Sequence, residues 1–191
     1  MPRFILASAS PHRLQLLREA GYEVEAVPSG FVEPDFVGGD DLNLRLLSLA
    51  QAKAEAVARS GLEGIILGAD TVGTVAGKIF GKPGSRDEAR EMLSAISGTT
   101  HAVLTGWCLL RTIDWLFFSG VETTTIHMRP WSTTELEAYL DSGEWIGKSG
   151  AYGLQLPTDP FVERIEGSPF SVVGVPLERL QAVIDEFSLL G

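Results

Sequence analysis

Two rhythms of apolar and polar residues alternate along this chain and predict its elements. Phe4-Ile-Leu-Ala7 is a short apolar run that reads as a strand. Ser10 follows as a helix N-cap and Pro11 as a first helical residue. Leu14 and Leu17 then repeat at helical spacing, and Gly21 stops the helix. Tyr22, Val24 and Ala26 alternate with Glu23 and Glu25, the pattern of a half-buried strand. Residues 28–39 form a Pro/Gly-rich loop. Asp40 or Asp41 opens a helix to about Ser60, with an apolar stripe of Leu42, Leu46, Leu49 and Val57. Residues 64–75 are an apolar strand, Ala76-Gly77 turns the chain, and Lys78-Ile79-Phe80 is a second short strand.

The second half continues the alternation. Ser85-Arg-Asp-Glu88 is a capping box ahead of the stripe Ala89, Met92, Leu93 and Ile96, which Gly98 ends. Residues 101–112 and 115–128 are long β-rich runs joined near Asp114, a predicted hairpin. Ser132-Thr-Thr-Glu135 is another capping box, opening a helix through Leu136, Tyr139 and Leu140 to Gly143. A glycine-dense stretch runs to Gln155. Phe161–Ile165 is a strand and Gly167-Ser168-Pro169 a turn. Pro176 opens a last amphipathic helix through Leu177, Leu180, Ile184 and Phe187. Strands and helices interleave, but a long hairpin cannot belong to a wholly parallel sheet. The expectation is an α/β fold: one elongated domain, residues 1–191, with a mixed, twisted sheet and helices on both faces.

Two polar residues break this pattern. Asp70 lies inside the Ile-Leu-Val strand, where an ionised carboxylate is costly without a partner. Lys53 falls in the middle of the apolar stripe of its helix at about 100° per residue. Either its ammonium snorkels out or it reaches a buried anion. The first strand–helix junction adds Ser8, Ser10 and Arg13 at a helix N-terminus. Backbone N–H groups and the helix dipole favour an anion there, and a guanidinium can clamp it. The alternative is a plain Ser10 cap with a solvated Arg13. Glu33 and Asp35 in the proline-rich loop could reach a metal, or be merely solvated.

Composition narrows the chemistry. The 191 residues carry 15 basic and 25 acidic side chains, a net charge of −10, which argues against bulk binding to nucleic acid or an anionic membrane. One cysteine, Cys108, allows no intrachain disulfide and no Cys-rich zinc site, as in a cytoplasmic chain. The apolar start is too short for a signal peptide and no run is long enough to span a bilayer. Gly143-Glu-Trp-Ile-Gly-Lys-Ser149 has three residues between its glycines where a phosphate-binding P-loop needs four. There is no dinucleotide fingerprint and no nucleophile elbow, and His12, His101 and His127 are dispersed. What remains is a set of cations (Arg13, Lys53, Lys82) with hydroxyls (Ser8, Ser10) and acids (Glu33, Asp70). That set suits metal-assisted hydrolysis of a phosphate ester or anhydride.

Leu6-Ala-Ser-Ala-Ser-Pro-His-Arg13, Gly68-Ala-Asp-Thr-Val72, Gly81-Lys-Pro83, Ser97-Gly-Thr-Thr-His-Ala-Val103 with Thr105-Gly106, and Gly150-Ala-Tyr-Gly-Leu-Gln155 resemble the Maf family. The segment from Val162 to Leu177 is similar to that family's C-terminal part. The resemblance implies a nucleoside triphosphate pyrophosphatase that yields a monophosphate and pyrophosphate. It implies a divalent cation, Mg²⁺ or Mn²⁺, and a fold like that of the inosine-triphosphate pyrophosphatases. It further implies a cytoplasmic homodimer that clears the nucleotide pool. By position, Asp70 is the implied proton acceptor, and Ser8, Ser10, Arg13, Lys53 and Lys82 the implied triphosphate contacts. Glu33, with Asp70, is implied at the metal, and His12, Thr71 and Gln155 at the base. Thr71 and Gln155 match the branch that prefers dTTP and UTP, whereas His12 stands where that branch has Arg. The preferred base, modified pyrimidines included, is thus left open. A nucleotide-binding regulator of cell division that does not hydrolyse its ligand is the competing class.

Overall fold

The structure, a computed structural model, describes residues 3–34, 41–155 and 158–189. Asp35, and the residues beyond it to position 40, lie outside that set. In chain order the elements are β1 (Phe4–Leu6), α1 (Pro11–Glu19), β2 (Val24–Ala26), α2 (Leu42–Ala58), β3 (Ile65–Val75), β4 (Lys78–Phe80), α3 (Arg86–Ile96), β5 (Thr100–Arg111), β6 (Leu116–Met128), α4 (Thr133–Ser142), β7 (Val162–Glu166), α5 (Pro169–Val173) and α6 (Leu177–Leu189). The strands pair in the order β2-β1-β3-β5-β6-β7, with β4 on β3. β1 runs parallel to β2 and β3, with Phe4 opposite Val24 and Ile65. β4 on β3 and β7 on β6 are antiparallel, so the sheet is mixed, as the sequence pattern predicts.

Residue contacts gather into two compact units. The first holds the described residues up to Asp70, Thr105–Glu122 and those from Val173 on; the second holds Thr71–Leu104 and Thr123–Val172. β3, β5 and β6 contribute residues to both.

In the first unit the core is the apolar β1 against α2 and the start of β3. Ile5, Ala7, Ala50, Ala54, Val57, Ile66, Cys108 and Leu110 cluster there. Burying each of the larger aliphatic side chains contributes about 1.5–3 kcal/mol. Burial also pushes the Cys108 thiol up to about 12, so it serves as an inert core residue. α2 lies directly on the sheet at two glycines. A Cβ at Gly68 would stand 2.0 Å from the Ala50 carbonyl oxygen, and one at Gly106 would stand 2.5 Å from that of Leu46. No side chain fits at either position with the helix where it is.

In the second unit α3 and α4 enclose Ala89, Met92, Leu93, Ile96, Val103, Ile126, Tyr139 and Leu140. Arg86 and Arg90 of α3 both pair with Glu137 of α4. The Ser132–Glu135 box closes reciprocally. The one at Ser85 closes by half: Ser85 accepts from the Glu88 amide, but the Glu88 carboxylate accepts from Gly84 N–H at 2.7 Å. The predicted turn at 167–169 is also revised. Pro169 starts the short α5, capped by Ser168, whose hydroxyl accepts from Ser171 N–H at 3.2 Å. Ser168-Pro169 repeats the Ser10-Pro11 signature of α1, a cap followed by a first helical proline. Among the described residues no helix is long and apolar enough to cross a membrane.

Candidate functional site

The chain leaves the sheet at the end of β1 and turns at once into α1. Ala7 N–H donates to Leu67 O at 2.8 Å, the last rung of the ladder to β3. Ser10 takes an extended conformation and its hydroxyl accepts from Arg13 N–H at 3.4 Å, so it is the helix cap. Ser8 Oγ accepts from Ser10 N–H at 3.1 Å and from Arg13 Nη1 at 3.4 Å. Arg13 Nη1 also donates to Ala69 O at 3.0 Å, which fixes the guanidinium beside the backbone that carries Asp70. Burial lowers the Arg13 pKa, and the charges of Asp70 and Glu33 oppose that shift. His12 sits exposed on the first turn of α1.

Lys53 resolves its own anomaly. It is buried on α2 among Leu49, Ala50, Ala54 and Val57. Its ammonium lies 2.6 Å from Asp70 Oδ1 and 2.6 Å from Glu33 Oε1. The Lys53 and Asp70 side chains are only 10% and 15% exposed, whereas Glu33 is 47% exposed. The inner pair is therefore the energetic one, since removing one partner of a buried pair costs about 3–5 kcal/mol. The outer one is partly screened. Glu33, an ordinary loop residue in the sequence, reaches the same ammonium from the stretch after β2. The first unit thus gathers Ser8, Arg13, Glu33, Lys53 and Asp70.

Two cations are already matched by two carboxylates, so a bound polyphosphate would leave negative charge to be balanced. The donor set fits a hard divalent cation. Glu33 and Asp70 converge on one point, now taken by an ammonium, and offer only oxygen ligands. Among the described residues no three His, Cys, Asp or Glu side chains cluster. Phosphate oxygens and water would complete the shell, the usual way Mg²⁺ is held.

The second unit carries the other predicted residues. Thr71 follows Asp70 in β3, and its carbonyl accepts from Ser149 Oγ at 3.3 Å. Lys82 is exposed after β4, next to Gly81, whose carbonyl accepts from Gly150 N–H at 2.9 Å. Gln155 is exposed, with its N–H on Asp159 Oδ2 at 2.9 Å. Ser149, Tyr139 and Asp159 hold these segments; the sequence places Tyr139 only in a helix stripe and Ser149 only in a failed P-loop match, and Asp159 in no motif. The Asp159-Pro160 dipeptide, a turn signal, was the only pointer to that residue.

The Maf-like protein family matches residues 3–187. The chain belongs to the Maf family. The match takes in both units of this Maf chain, including every residue just placed. A dTTP/UTP pyrophosphatase of Syntrophomonas wolfei is 41% identical, with 94% of each chain covered. One from Bacillus cereus is 39% identical over 99% of this chain and 92% of its own length. A dTTP/UTP pyrophosphatase of Dehalococcoides mccartyi is also 39% identical, over 97% of this chain and 83% of its own. A solved nucleoside-triphosphatase, the dITP/XTP pyrophosphatase of Mycobacterium abscessus, overlaps 65% of this chain and 74% of its own. That overlap has 18% identity and a TM-score of 0.35, too distant a likeness to bear on the fold.

Proposed function

We propose that this Maf chain hydrolyses nucleoside triphosphates between the α- and β-phosphates, releasing a nucleoside monophosphate and pyrophosphate. The preferred substrates are dTTP, UTP or modified pyrimidine triphosphates, removed from the nucleotide pool. The observation that carries the reading is the buried Lys53 ammonium, 2.6 Å from both Asp70 and Glu33, in a chain whose relatives are named dTTP/UTP pyrophosphatases.

Each residue of the first unit has a part. Arg13 and Lys53 hold phosphate oxygens, and Ser8 and Ser10 set the Arg13 fork and the helix N-terminus that face them. Asp70 takes the proton from the attacking water, whose oxygen replaces the bridging oxygen as the α–β anhydride breaks. Lys53, 2.6 Å from its Oδ1, holds that carboxylate in place. Glu33 and Asp70 would hold Mg²⁺ or Mn²⁺, which supplies charge neutralisation on the phosphates. Lys82 adds a contact to the triphosphate, and His12, Thr71 and Gln155 set the base preference. The protein is further proposed to work in the cytoplasm as a homodimer, checked by fractionation and by light scattering on the purified chain.

The deciding experiment incubates the protein with a panel of nucleoside triphosphates and Mg²⁺ or Mn²⁺. Pyrophosphate and orthophosphate are assayed separately. Pyrophosphate that disappears on chelation supports the reading. Binding without product makes the protein a nucleotide-dependent regulator instead, and orthophosphate alone makes it a different phosphatase.

A further inference from the structure

The segment that ends in Gln155 is fastened along its length. Within the second unit Ser149 Oγ donates to Thr71 O, Gly150 N–H to Gly81 O, and Gly153 N–H to Tyr139 Oη at 3.2 Å. Gln155 itself is held by one carboxylate. Asp159 Oδ2 accepts from Gln155 N–H at 2.9 Å, while Asp159 Oδ1 accepts from Phe161 N–H at 2.9 Å and from the Tyr152 hydroxyl. Burial, and then the hydrogen bond to Asp159, raise the Tyr152 pKa, so the phenol stays a donor.

Asp159 stands on a rigid base. Phe161 stacks on Trp131 with ring centroids 3.8 Å apart. Arg129 lies 5.0 Å over the Phe161 ring, donates to Pro160 O at 2.8 Å, and is gripped by Glu135. The main chain at 155 is thereby fixed while its amide side chain stays exposed. A primary amide carries an NH₂ that donates beside a carbonyl that accepts, and the two together can pair with the O4 and N3–H edge of a uracil or thymine ring. Such a pairing selects uracil over cytosine only if the amide is held one way round in advance, because a flipped amide matches the N4–H₂ and N3 edge of cytosine instead.

We propose that Asp159 is a positioning residue for base selection, holding the Gln155 backbone so that its amide meets the pyrimidine edge. The inference rests on the reading that Gln155 contributes to base preference. The test uses Asp159→Asn in the whole protein. Asn keeps an oxygen for Tyr152 and Phe161 but turns an NH₂ toward the Gln155 amide, donor against donor. Pyrophosphate release is measured with UTP, dTTP, CTP and GTP, alongside Tm and amide hydrogen exchange.

D159N is expected to raise KM for UTP and dTTP by about tenfold, the scale of one lost charge-assisted hydrogen bond. kcat should fall by much less, and selectivity over CTP should narrow by a similar factor. Exchange at the Gln155 amide should quicken, and D159N combined with Gln155→Ala should be no worse than Gln155→Ala alone. Unchanged selectivity in D159N, an unchanged Gln155 exchange rate, or additive effects in the double variant would each overturn the inference. So would an equal loss for all four nucleotides in step with a lower Tm. The underlying reading fails separately: through a wild-type protein that releases no pyrophosphate, or a Gln155→Ala variant with wild-type selectivity. Either result removes the basis of the inference as well.

Discussion

Replacing Gly68 by alanine tests whether the seating of α2 on β3 controls the proposed catalytic centre. The added Cβ would lie 2.0 Å from Ala50 O and 2.9 Å from Ala54 N, both helix backbone with no side chain to swing aside. Ordinary contact begins at 3.4 Å, so α2 must recede by about 1.4 Å or the strand must bend. α2 carries Lys53, whose ammonium is 2.6 Å from Asp70, and a recession of that size opens the pair to roughly 4 Å, beyond a hydrogen bond. Overpacking of this kind costs about 1–3 kcal/mol. For a chain of this length each kcal/mol lowers Tm by roughly 2–4 °C. Misplacing a catalytic group by about 1 Å can cost up to ~10²-fold in rate, so kcat/KM for UTP should fall by ten- to a hundredfold. The assays are a thermal melt and continuous pyrophosphate release. Gly73→Ala is the control, since a Cβ there meets nothing within 4 Å and should leave both readouts near wild type. A Gly68→Ala protein with wild-type Tm and kcat/KM would refute the argument that the bare strand seats the helix and the helix seats the lysine.

Asp70→Asn should reduce turnover by roughly 10²–10⁴-fold, since an amide takes no proton from water. Its circular dichroism should match wild type because Asn still accepts from Lys53; full activity would remove Asp70 from the mechanism. Lys53→Ala leaves Asp70 buried without its cation, so unfolding free energy should drop by about 3–5 kcal/mol in urea titrations. KM for the triphosphate should rise as well, and a lower Tm with an unchanged KM would make the lysine purely structural. The His101 pKa is lowered to about 4 by burial and by the charge of His127, and its buried Nδ1 has no hydrogen-bond partner among the described residues. Its folded pKa lies below the unfolded value of 6.5, so the unfolded chain binds the extra proton first as pH falls. Stability should therefore be full above pH 6.5 and decline toward pH 4, by about 3 kcal/mol at most. His101→Gln should flatten Tm against pH in that window, and an unchanged slope would show that His101 does not titrate there.

The short strands and amphipathic helices were legible because their signals are local. Period-2 and period-3.6 patterns, Ser-Pro caps and stop glycines each lie within a few residues of what they specify. The same periodicity exposed Lys53 and Asp70 as misfits, since a charged residue on a buried face is visible without any knowledge of the partner. α5 was missed although its Ser168-Pro169 cap is a local signal. What makes the five-residue helix hold is not local: Thr124 of β6 donates to Ser168 O at 2.9 Å and hydrogen-bonds Ser171 at 2.8 Å. Glu88 likewise had two amides in reach, and the closed position went to Gly84 rather than Ser85.

The sequence by itself determined every element type but the short α5, together with the mixed sheet and the residue chemistry of the site, because each follows from backbone sterics, burial pattern and side-chain functional groups. Only the tertiary structure decided what Lys53 does. A lysine on a buried stripe can snorkel or pair. It pairs because the bare backbone at Gly68 and Gly106 lets α2 lie close enough to β3 for its ammonium to reach Asp70, 17 residues away, and Glu33 from the loop. That distance is set by packing between segments far apart in the chain, which local pattern does not encode.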